Sequence, residues 1–239
     1  MNEFQKNRIL RFARKFGIET IKNPNYIRPL HDPRNFPDAG ETPVIFDIGA
    51  NIGQSVFEFK HSYENASIYA FEPVASVFET LESNTKKLSG VSNFHLGFGE
   101  QKAELQIPKV KSKTIQTTQV LGDHGDSTGE SETIEITTVD DFSKEQGISK
   151  IDILKTDTEG FDLAVCRGMK NMLTENKVGY IISEVTIIPG DTQHTNLFEL
   201  RELLAPFNYE LTSLFDLQYR LDAQLSYFNA LFAVKKDAD

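Results

Sequence analysis

One cysteine, Cys166, in a chain of 239 residues leaves no partner for an internal disulfide and excludes a zinc site built from several thiolates. A reducing, cytoplasmic setting is the expectation, and the apolar surroundings of Cys166 read as those of a core thiol rather than a nucleophile. Long apolar runs are also missing. No stretch reaches the roughly 20 residues that span a bilayer, and the first residues show no apolar signal-peptide core. Basic charge is scarce as well: 25 Lys and Arg face 35 Asp and Glu, a net charge of −10, which argues against nucleic-acid binding through a basic surface. The basic charge gathers at one end. Residues 1–28 carry seven basic and two acidic side chains, a net of +5 that leaves −15 for the remainder.

The length suits one α/β domain with an appended segment. In that segment Ile9, Phe12, Ala13 and Phe16 recur at helical spacing, which predicts an amphipathic helix with a basic outer face. Docking on the main body is its simplest role; a lid over the substrate, a dimer contact or an anionic surface are the alternatives. Asn23 to Pro43 reads as an irregular connector. The division expected is therefore an N-terminal helix and connector over 1–43 and a catalytic domain over 44–239.

Val44-Ile45-Phe46-Asp47-Ile48-Gly49-Ala50-Asn51-Ile52-Gly53 reads as a buried strand entering a glycine turn and then a helix. Gly49 and Gly53 allow positive φ and close backbone approach to a ligand. The next strand, Ser67 to Phe71, ends in Glu72-Pro73, about twenty positions on, where an acidic side chain accepts hydrogen bonds from the ribose hydroxyls of an adenosine. Asn51 replaces a glycine of the dinucleotide pattern. Asp47 at the strand end would repel a pyrophosphate but suit the ammonium and sulfonium of S-adenosylmethionine. These two residues favour methyl transfer over a nicotinamide-dependent oxidoreductase. A non-catalytic S-adenosylmethionine-binding module is the remaining alternative.

Farther along, Val74, Val77, Phe78, Leu81, Thr85 and Leu88 mark a helical face, and a third strand is expected near Asn93-Phe94-His95-Leu96. That order predicts a parallel sheet with helices on both faces. Gly97-Phe98-Gly99-Glu100 should form the following loop, with Phe98 or Glu100 against the adenine. Residues about 103–137 alternate as half-exposed strands, an antiparallel insertion whose polar, glycine-rich loop Gly122 to Gly129 is expected to be either a substrate gate or a disordered stretch. Ile151 to Thr156 is a strand that runs into a helix from about Phe161 to Leu173. Val178 to Val185 is another buried strand, a helix covers Leu197 to Leu204, and segments near 209–214 and 227–234 form a closing hairpin.

Asp47-Ile48-Gly49-Ala50-Asn51-Ile52-Gly53, Phe71-Glu72-Pro73, Asn84, Val139-Asp140-Asp141, the block Lys155-Thr156-Asp157-Thr158-Glu159-Gly160-Phe161-Asp162, Gly168 and Glu184, in that order, closely resemble the FkbM-type methyltransferases. The likeness covers roughly residues 44–186. It departs at Gly97-Phe98-Gly99-Glu100, where Ala-Leu-Gly-Asp is the usual form, and at Thr158, which stands for an apolar residue. The resemblance implies a class I S-adenosylmethionine-dependent fold, a seven-stranded, mostly parallel sheet with its last strand antiparallel. It also implies O-methylation of a small hydroxylated acceptor such as a sugar or polyketide.

Ligands in open parallel sheets bind beyond the carboxyl ends of the strands. Asp157, Glu159, Glu184 and His194 are accordingly the candidate catalytic residues, with Asp157 first as base or orienting group. The candidate cofactor residues are Asp47, Gly49, Asn51, Gly53, Glu72, Phe98 and Glu100. The three carboxylates also form a donor set that would suit Mg²⁺ or Ca²⁺. Lys155 reads as an ion-pair partner, and Glu159 as either an acceptor contact or a helix cap.

Overall fold

The computed structural model describes residues 29–110 and 127–235. The amphipathic helix expected near the N-terminus and most of the 122–129 loop lie outside the described residues.

The main sheet is built on β1 (Val44–Ile48), whose apolar run is buried on both faces. It pairs in parallel with β2 (Ser67–Phe71) on one side and β7 (Ile151–Thr156) on the other. Beyond β2 lies β3 (Val91–Phe94), and beyond β7 lies β8 (Val178–Thr186), both again parallel. The far edge is a hairpin of β10 (Tyr209–Tyr219) and β11 (Leu225–Val234), with β11 antiparallel to β8. The order is thus β10-β11-β8-β7-β1-β2-β3, and the two-residue β9 (Thr195–Asn196) adds to β8. Consecutive strands depart from β1 in opposite directions. The strand order therefore reverses between β1 and β7, where a parallel sheet opens a crevice at its carboxyl edge.

Each sheet face has its own core. One packs Phe46, Ile48, Phe71, Leu154, Ile181 and Phe232 against the helices of the second half of the chain. These are α3 (Val139–Glu145), α4 (Asp162–Arg167), α5 (Lys170–Thr174) and α6 (Leu197–Leu204). Period-two alternation sends Ile45, Ile68, Ile153 and Ile182 to the other face, beneath α1 (Gln54–Ser62) and α2 (Ala75–Thr85). The connector belongs to this second core: Leu30 and Phe36 are buried in it, and Asp38 accepts a hydrogen bond from the Tyr180 hydroxyl.

Several expectations need correction. The third strand ends at Phe94, and Gly97–Phe98, expected as a loop, forms β4. The insertion supplies the reason. β5 (Ala103–Val110) and β6 (Ser127–Thr137) are antiparallel, as their alternation implied, and β6 reaches far enough to pair in parallel with β4. Ser127, Thr128 and Gly129 are thus part of a strand rather than of the expected loop. The helix expected over 161–173 breaks into α4 and α5 at Gly168. A Cβ there would lie 2.1 Å from the Gly99 carbonyl oxygen, and its own carbonyl accepts the Asp140 N–H. That close contact locks the helix pair onto the β4 turn.

Candidate active site

The loop after β1 turns on two left-handed glycines. Gly49 (φ 80°) lies so close to β7 that a Cβ would come 2.0 Å from the Asp157 carbonyl oxygen, while the Asp157 N–H donates to the Ile48 carbonyl. Glycine at 49 is therefore what allows the two central strand ends to touch. Gly53 (φ 98°) starts α1, and a Cβ there would press on Leu81 and Thr85 of α2. Its smallness serves helix packing and does not bring it to the cleft. Asn51 is also left-handed (φ 50°), and its N–H donates to Glu72 at 3.1 Å.

A cleft of about 760 Å³, counting its open mouth, lies along this edge. Gly49, Glu72, Phe98 and Asp157 of the expected residues line it. Apart from Thr158, its remaining wall is apolar, with Val74, Leu96, Phe161, and from the insertion Leu105, Ile107, Ile134 and Ile136. Those four isoleucine and leucine positions were legible as strand alternation but not as a cleft wall, because nothing local indicates what a strand face will meet. Glu72 is 5% exposed and accepts the N–H groups of Asn51 and Val74. Burial outweighs those two bonds and pushes its carboxyl up to about 7.

Asp47 and Glu100 are not where they were expected. Asp47 has no exposed surface; it sits below the loop, accepting the Ser55 hydroxyl, with Lys155 Nζ 3.7 Å away. Alternation places residues 45 and 47 on the α1 face, so the carboxylate points into protein and supports the loop from underneath. Glu100 is exposed in the bend after β4 and does not line the cleft. Pairing of β4 with β6 turns the chain before residue 100 can face inward.

The catalytic candidates do come together. Lys155, 7% exposed, reaches Asp157 Oδ2 at 3.1 Å as well as Asp47. Burial works against its charge, but Asp157 and Asp47 outweigh it and hold the ammonium above the ordinary lysine range. Glu184, on β8 beside β7, is pushed up to about 8 by burial and Asp157, with Lys155 opposing. Glu159 is pushed up to about 7 by burial and Asp157. It adopts φ 52° in the turn after β7 and does not cap α4, whose first residue, Asp162, accepts the Thr158 N–H of that turn at 3.3 Å. Asp162 is itself buried and also accepts the Thr156 and Thr195 hydroxyls. His194 Nε2 stands 3.6 Å from Glu184, and its Nδ1 is 3.0 Å from Asp191. Asp191 was missed by sequence reasoning, since a loop Asp three residues before a His carries no distinctive signal. Cys166 is buried in the core, as expected. Among the described residues no group of three or more His, Cys, Asp or Glu side chains is arranged to hold a metal ion.

A glycine turn at the switch point, an acidic residue ending the second strand and an antiparallel β11 together define the class I methyltransferase fold. The chain matches the methyltransferase FkbM domain over residues 47–219. It belongs to that family, whose methyl donor is S-adenosylmethionine.

Among curated relatives, Methyltransferase 1 of Beauveria bassiana is 30% identical over 175 residues, covering 66% of this chain and 69% of that one. The hexuronic acid methyltransferase AglP of Haloferax volcanii is 27% identical over 179 residues, covering 73% and 71%. The crystal structure of methyltransferase FkbM from Methylobacillus flagellatus KT superposes with a TM-score of 0.52 at 17% identity. That match covers 86% of this chain but spans only 48% of the other. M. capricolum TrmK, solved with S-adenosylhomocysteine, shares the fold at a TM-score of 0.51 and 13% identity, covering 90% and 72%.

The described residues suit the methyl donor. Glu72 offers buried carboxylate oxygens at the rim, Gly49 places the loop backbone along the cleft wall, and Phe98 with the insertion face offers apolar surface for a base.

Proposed function

We propose that this chain methylates a hydroxyl oxygen on a small, polyhydroxylated acceptor of carbohydrate type. The observation that carries the reading is the meeting of Asp157, Glu159 and Glu184 at the carboxyl edge, with Asp157 lining the cleft. The catalytic unit is taken as residues 44–239, with 1–43 as its N-terminal extension.

The methyl donor supplies an already activated methyl group, so the chain's task is orientation and proton removal. Glu72 would hold the ribose hydroxyls, and Gly49 and Phe98 would flank the cofactor. Asp157, fixed by Lys155, would accept a hydrogen bond from the hydroxyl beside the reacting one and so set the reacting oxygen in line. Near neutral pH Glu159 and Glu184 hold protons part of the time, so the mouth offers donors and acceptors together, as a sugar's alternating hydroxyls require. The naming of one relative as a hexuronic acid methyltransferase supports a carbohydrate acceptor.

Labelled methyl transfer into a panel of methyl glycosides and polyketide alcohols tests this reading. Asp157→Asn should lower transfer about 10²–10⁴-fold with cofactor affinity nearly unchanged. Full activity of that variant on every accepted substrate would remove Asp157 from the mechanism.

A further inference from the structure

We propose that His194 takes the acceptor's proton, and that Asp191 is the positioning residue that aims the His194 Nε2 at the acceptor mouth. This rests on the reading that the acceptor lies beside Asp157.

The geometry is that of an oriented imidazole. Asp191 Oδ1 accepts the backbone N–H groups of Gln193 and His194 at 2.8 and 3.0 Å, so the carboxylate is held by its own loop. Its Oδ2 lies 3.0 Å from His194 Nδ1. A carboxylate there takes the Nδ1–H and leaves the lone pair on Nε2, the nitrogen that faces Glu184. Burial would raise the Asp191 carboxyl, but the two N–H bonds and the ring outweigh it, and the carboxyl stays below its ordinary value. The imidazole lies flat on Tyr227, with ring centroids 4.5 Å apart and planes 12° apart.

The loop that carries the pair is anchored on both sides. Thr195 follows immediately in β9, is in register with Val185 of β8, and donates its hydroxyl to the buried Asp162. On the other side, Gly160 packs against the carbonyls of Thr192 and Gln193, where a Cβ would come within 3.0 Å of the first. His194 is therefore placed by the same turn that carries Asp157 and Glu159.

The charged and titratable groups that face the ring are Asp191 from its own loop, Glu184 from β8, Glu159 from the turn after β7, and Tyr227 from β11. Three carboxyl groups thus surround one imidazole.

The step balances. The O–CH₃ bond forms as the S–CH₃ bond breaks and sulfur keeps that electron pair. The acceptor's O–H pair stays on oxygen, and the proton passes to Nε2 and later to solvent.

The test has two arms on the full-length protein. Long-range ¹H–¹⁵N spectra of the S-adenosylhomocysteine-loaded protein should show neutral His194 as the Nδ1–H tautomer. Asp191→Asn should shift it toward Nε2–H, and Asp191→Glu should restore the first form. With a methyl glycoside from the panel above, Asp191→Asn and His194→Gln should each lower kcat by about 10²–10³-fold, with KM for S-adenosylmethionine within about twofold of the unsubstituted value. An Nε2–H tautomer in the unsubstituted protein, or full kcat in either variant, overturns the proposal. If the unsubstituted protein methylates no glycoside or alcohol, the hydroxyl-acceptor reading fails, and the tautomer arm still decides the Asp191–His194 pair.

Discussion

Glu72 is the residue at which charge, stability and cofactor binding should be most tightly coupled. Its carboxyl is 5% exposed, accepts two backbone N–H groups and titrates near 7 instead of its ordinary 4.5. A raised value means that the folded chain binds the proton more tightly than the unfolded chain. Its stabilising contribution is then complete below about pH 4.5 and is lost as pH rises through about 7. A displacement of this size corresponds to on the order of 3 kcal/mol between the two ends of that window. Glu72→Gln keeps the shape but cannot ionise. Denaturant melts of the cofactor-free protein between pH 5 and 8.5 should therefore show a steeper alkaline loss for the original chain than for the Gln variant. The gap in slope, rather than the offset, is the readout, because the amide also leaves one of the two N–H groups facing a donor. Binding should carry the same signature. If the ribose hydroxyls bond to the ionised carboxylate, S-adenosylmethionine should release up to about half a proton from Glu72 at pH 7, seen as a buffer-dependent calorimetric enthalpy. Glu72→Gln should abolish that dependence. Parallel pH profiles and a buffer-independent enthalpy in both proteins would refute the assignment of the ribose to Glu72.

Lys155→Met should cost about 3–5 kcal/mol in denaturant melts, because it strands the fully buried Asp47 without its cation, and adding Asp47→Asn should recover most of the loss. A Lys155→Met variant as stable as the original would mean that the ion pair is not closed in solution. Gly49→Ala should lower cofactor affinity at least about tenfold and destabilise beyond the ~1–2 kcal/mol of a left-handed alanine, since its Cβ meets the Asp157 carbonyl. Gly40→Ala, at φ 71° with open space around it, should show only the backbone cost, and equal effects at the two sites would discount the strand contact.

The two-sided burial of β1, its glycine turn and the acid that ends β2 are local patterns readable from spacing, and the Lys155 to Asp162 block is legible through its resemblance to the family. They sufficed for the sheet, the family likeness and the cofactor class. Side-chain alternation likewise placed Lys155 and Asp157 together, because two residues on one strand share a face whatever surrounds them. Boundaries were less legible where distant pairing decides them. Whether Gly97 and Phe98 form a loop or a strand depends on β6 arriving alongside, and the 161–173 helix breaks because Gly99 occupies the space beside Gly168. Charge was the hardest property to read. Asp47 and Glu72 are both acids at strand ends, yet one is sealed beneath the loop on Lys155 and the other lines the cleft, a difference set by which face of the sheet each one meets. Glu184, Asp191 and His194 fall within eleven consecutive positions without a motif. Only the fold brings that loop back over β8 and against the turn after β7, because the pairing of β9 with β8 and the hydroxyl bond from Thr195 to Asp162 are tertiary contacts that no local pattern encodes.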